Sequence, residues 1–266
     1  MPTAFHLTDR IALITGGGSG LGRAIAQAFL KAGAARVYIV SRKADVLERA
    51  AAELDQDGRC IALPADLSSV DGCRDLAKRF REREERLDIL VHNSGVSWLA
   101  SFDDYPEKGW DRTFQVNLKA PFFLTQALKP YLVNGASKDA HASVIAIGSI
   151  AGEMDKATDS FAYGLSKGAL HHVIRMLAIE LGPDNITVNA IAPGRFETNM
   201  TEGIVEDQER YEREASFIPL RRWGVPAQLG GTAVYLASAA GSYVTGATIV
   251  VDGGLSLEHP ISLGRE

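Results

Sequence analysis

A chain of 266 residues with 46% apolar and 23% charged residues has the balance of an ordinary soluble globule whose core needs no covalent staples. Its 28 basic and 33 acidic residues leave a formal charge of -5, which excludes the electropositive footprint of a nucleic-acid or anionic-membrane binder. No run approaches the roughly 18 uninterrupted apolar residues of a membrane span, the N-terminal "MPTAFHLTDR" lacks the pattern of a secretory leader, and the two cysteines, Cys60 and Cys73, sit in no metal or redox motif. A cytoplasmic protein without a metal site is expected.

Apolar, β-branched runs alternate with helical patterns throughout. The first predicted strand, 10–15, runs into the glycine loop "TGGGSGLG" (15–22) and a helix over about 20–32. Glycines there permit a sharp turn and close backbone approach to a diphosphate at a helix N-terminus. Gly16, Gly18, Ser19, Gly20, Leu21 and Gly22 are therefore candidate cofactor contacts.

The second strand, 36–40, ends on Ser41 and Arg42, with Lys43 beyond. A fold that selects NAD(H) places an acid about 20 residues after the glycine loop, where it meets the ribose hydroxyls. Here Arg42 can hold a 2′-phosphate instead, so NADP(H) is preferred and NAD(H) is second. The alternative for Arg42 is the solvated start of the helix at 43–57.

Further strands are expected at 60–66, 87–93, 143–149, 186–193 and 248–254, with helices at 70–85, 107–133, 161–182 and 226–239. Continuous apolar strands separated by helices imply one doubly wound, Rossmann-type parallel α/β sheet of about seven strands with both faces covered. No linker divides residues 1–266. Residues 195–225 form a polar excursion, expected to be a substrate lid. Its Phe196, Met200, Ile204, Phe217 and Ile218 either line an apolar pocket or pack the lid on the core. The tail, 258–266, is expected to fray.

Ser149 closes the fifth strand, and fourteen residues later Tyr163 and Lys167 stand four apart on a predicted helix. Residues i and i+4 share a helix face. An ammonium near a phenol favours the phenolate and lowers its pKa, and a serine hydroxyl beside it can bind a carbonyl oxygen. Such pairs are also common on helix surfaces, so the constellation decides the matter rather than the pair.

The ordered set "TGGGSGLG", Asp66, "HNSG" (92–95), Asn117, Ser149, "YGLSK" (163–167) and "PGRFET" (193–198) resembles that of the short-chain dehydrogenase/reductase family over about residues 8–256. Within the family, "GVSWLASFDDYPEKGWDRTFQVNL", "IAPGRF" and "IPLRRWGVP" resemble the 3-oxoacyl-acyl-carrier-protein reductases, of the rhamnolipid-pathway type. The resemblance implies Tyr163 as the acid at the carbonyl oxygen and Lys167 as the group that tunes it and holds the nicotinamide ribose. It implies Ser149 as the substrate-orienting hydroxyl and Asn117 as the holder of a relay water. It places Asp66 and Leu67 at the adenine, Asn93 and Gly95 at the adenosine ribose, and Pro193, Gly194 and Thr198 at the nicotinamide amide and phosphates. It also implies a homotetramer. The family's "NNAG" is here His92-Asn93-Ser94-Gly95, and Ser19 stands where NADP-dependent members often carry a basic residue.

The reading is an NADPH-dependent carbonyl reductase of a small-molecule ketone. A 3-oxoacyl thioester on an acyl-carrier protein is one candidate, with Arg221 and Arg222 available to an acidic carrier. A cyclic ketone, sugar or steroid-like alcohol, and a non-catalytic dinucleotide binder, are the alternatives.

Overall fold

The computed structural model describes residues 3–55, 57–154, 160–198 and 201–257; Met200 and the tail 258–266 lie outside them. Strands β1 (Ile11–Thr15), β2 (Arg36–Val40), β3 (Cys60–Ala62), β4 (Ile89–His92), β5 (Ala142–Ile147), β6 (Ile186–Pro193) and β7 (Thr248–Val251) form one sheet. Their order is β3-β2-β1-β4-β5-β6-β7, with every pairing parallel. All residues of β1, β5 and β6 are buried, which is why these strands are apolar at consecutive positions rather than at alternate ones.

Helices α1 (Gly20–Lys31), α2 (Ala44–Leu54), α3 (Val70–Arg81), α4 (Glu107–Phe114), α5 (Ala120–Gly135) and α6 (Phe161–Leu181) follow their strands. One core packs Ile25, Phe29, Leu47 and Leu229 against one face of the sheet. Another packs Leu76, Phe80, Leu124, Leu128, Leu170 and Ile174 against the opposite face. The chain reverses its direction of travel across the sheet between β1 and β4, and the crevice beyond their C-terminal ends is where an open α/β sheet receives a ligand.

The single helix expected over 107–133 is broken by a π turn at Gln115–Lys119. Pro121, in the first turn of α5, has no N–H to return to the Asn117 carbonyl, and the ladder shifts to an Ala120 N–H bond to the Gln115 carbonyl. The described residues of the segment 195–225 carry regular structure. A bridge between Phe196 and Gly224 closes its base, and it carries α7 (Glu202–Val205) and α8 (Gln208–Ser216) before α9 (Pro226–Ala237). Asp207 caps α8 by accepting from Arg210 N at 3.1 Å. Ala215, Ile218 and Trp223 give the segment a small core of its own. Among the described residues no helix is long and apolar enough to cross a membrane, and no cluster of His, Cys, Asp and Glu could hold a metal ion.

Candidate active site

A cleft of about 450 Å³ opens along the C-terminal ends of β1, β2, β4, β5 and β6. At one end lies the loop between β1 and α1. Gly16 and Gly20 have φ of 66° and 52°, which glycine adopts without the penalty of a Cβ. Ser19 begins α1 without a side-chain cap, so the backbone N–H groups of its first turn point outward unclaimed by a cap. Those glycines, Ser19 and Leu21 line the cleft. Gly18 and Gly22 stand behind its wall. A Cβ on Gly22 would lie 2.3 Å from the Gly16 carbonyl oxygen and 2.4 Å from Asn93 Nδ2, so this glycine lets α1 and the loop pack. A Cβ on Gly18 would meet the Leu47 side chain at 3.1 Å.

Next along the rim are Ser41 and Arg42 at the end of β2, then Asp66 and Leu67 beyond β3. Arg42 is exposed and makes no ion pair among the described residues. Asn93 and Gly95 line the middle. Asn93 Nδ2 donates to the carbonyls of Thr15 and Gly16, both at 3.1 Å, while Thr15 Oγ1 accepts from the backbone of Asn93 and Ser94. Asn93 thus splices the end of β4 to the glycine loop. His92 is buried, with Nε2 2.7 Å from Thr125 Oγ1, and burial pushes its pKa down to about 3. It is a neutral structural group joining β4 to α5.

At the other end stand Ser149, Tyr163 and Lys167; Pro193, Gly194 and Thr198 also line the cleft, Thr198 beside the glycine loop, where a Cβ on Gly20 would lie 3.8 Å from its Cβ. The Ser149 hydroxyl accepts from Ala151 N at 3.1 Å, which leaves its proton free to be given to the Tyr163 phenol, with which it is hydrogen-bonded. Lys167 is buried, and its ammonium donates to the Ile147 carbonyl at 2.7 Å; burial pushes its pKa down to about 8. The ammonium lies 5.7 Å from the centre of the Tyr163 ring.

Two influences set the direction of the Tyr163 phenol's pKa, and the Lys167 ammonium, turned to the Ile147 carbonyl, is not among them. Burial, the larger cause, raises it, and the hydrogen bond from Ser149 draws it back only in part. The cation is directed at a backbone carbonyl instead. Asn117 is placed differently too. Its Oδ1 accepts from Val96 N at 2.8 Å, and its Nδ2 donates to the Val96 carbonyl and to Ser166 Oγ at 2.9 and 3.0 Å. The amide braces the loop after β4 against α6 and does not line the cleft.

The cleft also includes residues the sequence reading missed: Val40 and Ile147, which end strands, and Ser94, Val96, Arg112 and Val116. The strand ends follow from the rule that such sheets bind at their C-terminal edge. Arg112 and Val116, one helical turn apart, carried no separate signal. Among the described residues of the 195–225 segment, only Thr198 lines the cleft. Phe196 and Ile218 are buried in the protein's packing, Ile204 supports the small core, and Phe217 is exposed.

The cleft joins a phosphate-binding type of loop to a Ser-Tyr-Lys constellation. The family model described as enoyl-(acyl carrier protein) reductase matches residues 16–256, across all of these elements. The chain belongs to the short-chain dehydrogenase/reductase family. It is 47% identical over 253 residues to the rhamnolipids biosynthesis 3-oxoacyl-[acyl-carrier-protein] reductase of Pseudomonas aeruginosa, covering 95% of this chain and 98% of that protein. The solved Pseudomonas aeruginosa RhlG/NADP active-site complex superposes with a TM-score of 0.93 at 46% identity, covering 97% of this chain and 100% of the other. A gluconate 5-dehydrogenase from Burkholderia cenocepacia, solved with NADP and tartrate, gives a TM-score of 0.87 at 30% identity, covering 96% and 98%. The protein is an oxidoreductase of this family, with the single seven-stranded sheet the family relation implies.

Proposed function

We propose that the protein reduces a ketone with NADPH and that its substrate class is a 3-oxoacyl thioester. The observation that carries this reading is the convergence of Ser149, Tyr163 and Lys167 at one end of a cleft whose other end is the glycine loop with Arg42 at its rim. The uncapped N-terminus of α1 and the left-handed Gly16 and Gly20 form a cradle suited to a diphosphate. No carboxylate stands at the Arg42 position to repel a 2′-phosphate. The residues present therefore fit NADP(H), as bound in the two solved relatives, with NAD(H) as the weaker partner.

The bound dinucleotide would supply the hydride. The chain's own residues handle the oxygen. Ser149 and Tyr163 present two hydroxyls to a carbonyl oxygen that gains negative charge, and Tyr163 gives it a proton. A phenol whose pKa is raised stays protonated near neutrality, which suits the reductive direction. Lys167 holds positive charge beneath it up to about pH 8. Asn117 holds the loop at Val96 in place, and any grip on a relay water falls to its main chain, whose carbonyl has lost its α-helical donor at Pro121. Asp66, Leu67, Asn93 and Gly95 receive the adenosine half, and Pro193, Gly194 and Thr198 the nicotinamide half.

The whole chain acts as one domain, with 195–225 as its lid. Apolar side chains left at the surface support a homotetramer: the α4/α5 groove with Trp110, Phe114, Phe122 and Phe123, exposed Met176 and Ile179 on α6, and exposed Tyr243 and Val250 before and within β7. Delivery by an acyl-carrier protein is supported by exposed Arg222, although both Arg221 and Arg222 also bond backbone carbonyls.

The test is a panel of acetoacetyl-coenzyme A, a crotonyl thioester, cyclic ketones and 5-ketogluconate, each with NADPH and NADH. Fastest turnover of acetoacetyl-coenzyme A with NADPH is expected. Consumption of the crotonyl thioester or the sugar acid in its place would overturn the substrate class.

A further inference from the structure

A buried histidine paired with a partly exposed glutamate touches the active site from behind. Helix α6 presents Gly164, Gly168 and His171 at i, i+4 and i+7, a single stripe beside the one that carries Tyr163 and Lys167. The chain leaving Ser149 lies along this stripe. A Cβ on Gly164 would come within 3.0 Å of the Ala151 carbonyl oxygen, and one on Gly152 within 2.6 Å of Gly168 N. His171 completes the row. Its ring is 2% exposed, its Nδ1 lies 2.6 Å from Glu153 Oε1, and its Nε2 abuts Gly148, where a Cβ would stand only 2.0 Å away.

The short Nδ1 contact is off-axis for a hydrogen bond, and neither ring nitrogen has an aligned partner. Packing holds the ring, and burial, the largest influence, keeps its pKa below the usual imidazole value. Glu153 is the attractive neighbour; Lys167 and Arg175 are the repulsive ones, and Arg175 itself contacts exposed His172 at 3.3 Å. Gly148 is further tied by its N–H to the Ile191 carbonyl at 2.7 Å. The Ser149 hydroxyl is thus flanked by two contacts to one imidazole, at Gly148 before it and at Glu153 after it.

We propose that His171, held by Glu153, is a positioning residue: by fixing Gly148 and the turn through Glu153 it sets where the Ser149 hydroxyl stands relative to Tyr163. The proposal rests on the ketone-reductase reading above. A small displacement of an aligned group costs rate out of proportion to its effect on binding.

The experiment measures steady-state reduction of acetoacetyl-coenzyme A by NADPH, with thermal midpoints, for His171→Leu, His171→Asn, Glu153→Gln and the double variant. His171→Leu lowers kcat on the order of tenfold while the KM for NADPH stays within about twofold. His171→Asn, whose amide can take the place of Nδ1, recovers part of that loss. Adding Glu153→Gln to His171→Leu costs nothing more, since the two act as one unit. An unchanged kcat in a folded His171→Leu, or losses that add, would overturn the proposal. Should His171→Leu fail to fold, Glu153→Gln decides alone, because this carboxylate side chain is 42% exposed and its removal spares the core; an unchanged kcat there has the same meaning. Tyr163→Phe is assayed in parallel. If it keeps the parental rate, the reductase reading itself falls; if it is dead while the His171 and Glu153 variants run at the parental rate, only the positioning role falls.

Discussion

The two ends of the cleft each carry a cation, and they treat it in opposite ways. Lys167 is buried, tied to a backbone carbonyl, and its pKa is brought down to about 8. Arg42 is exposed at the rim. A desolvated charge is expensive and acts strongly on its neighbours, while a solvated one costs little and becomes useful when a phosphate is laid against it. The buried end is therefore suited to chemistry and the exposed end to choosing a cofactor. Substitutions at the first should cost rate, and at the second should change preference.

The largest effect belongs to the buried end. Tyr163→Phe removes the proton donor and leaves the ring's packing, so kcat for ketone reduction should fall about 10²- to 10⁴-fold with the thermal midpoint nearly unchanged. Retained turnover would show that this end does not carry the chemistry. At the exposed end, Arg42→Asp removes a charge-assisted contact and adds repulsion. The ratio of kcat/KM for NADPH over NADH should drop roughly 10- to 100-fold with kcat for NADH preserved. An unmoved ratio would show that Arg42 does not choose the cofactor.

Between the two lies the glycine loop, whose glycines differ in what surrounds them. Gly22→Ala puts a methyl 2.3 Å from a backbone carbonyl that cannot yield, whereas Gly18→Ala meets only the tip of Leu47 at 3.1 Å. The first should lower stability by about 1–3 kcal/mol and weaken NADPH binding; the second should do little of either. Calorimetry with and without NADPH checks both.

These contrasts also show what was legible in the sequence. The strands were, because burial on both faces writes them as apolar runs; β2 and β6 occupy the residues expected. Tyr163, Lys167 and Ser149 were, because helical spacing and a strand end bring them together. The environment of Lys167 was not, since nothing in "YGLSK" tells that Ile147 offers a carbonyl to its ammonium. The π turn was hidden within residues that suit an ordinary helix, although Pro121 could have marked it. Asp207 followed by helix-forming residues was a readable start for α8 within the polar excursion. The small core around Trp223 depends on contacts between residues distant in the chain, which periodicity cannot express.

The pH dependence of rate follows from the buried end. Lys167 is charged below about pH 8 and loses its proton above it, so kcat/KM for reduction should fall as pH rises through that value. The same burial predicts a smaller effect on stability with a definite sign. In the unfolded chain the lysine titrates near 10.5, in the native protein near 8, so between these values the unfolded state holds the extra proton and stability rises with pH. The buried thiols of Cys60 and Cys73, pushed up to about 11 from 9.0, act in the opposite direction above pH 9. The quantity to measure is therefore the difference in urea midpoint between the parent and Lys167→Met at pH 7.5 and pH 10. Lys167→Met should gain more over the parent at the lower pH than at the higher, and Arg42→Met, whose charge is solvated in both states, should show no such slope. An equal slope in the two variants would mean that the ammonium at the chemical end is as well hydrated as the guanidinium at the rim.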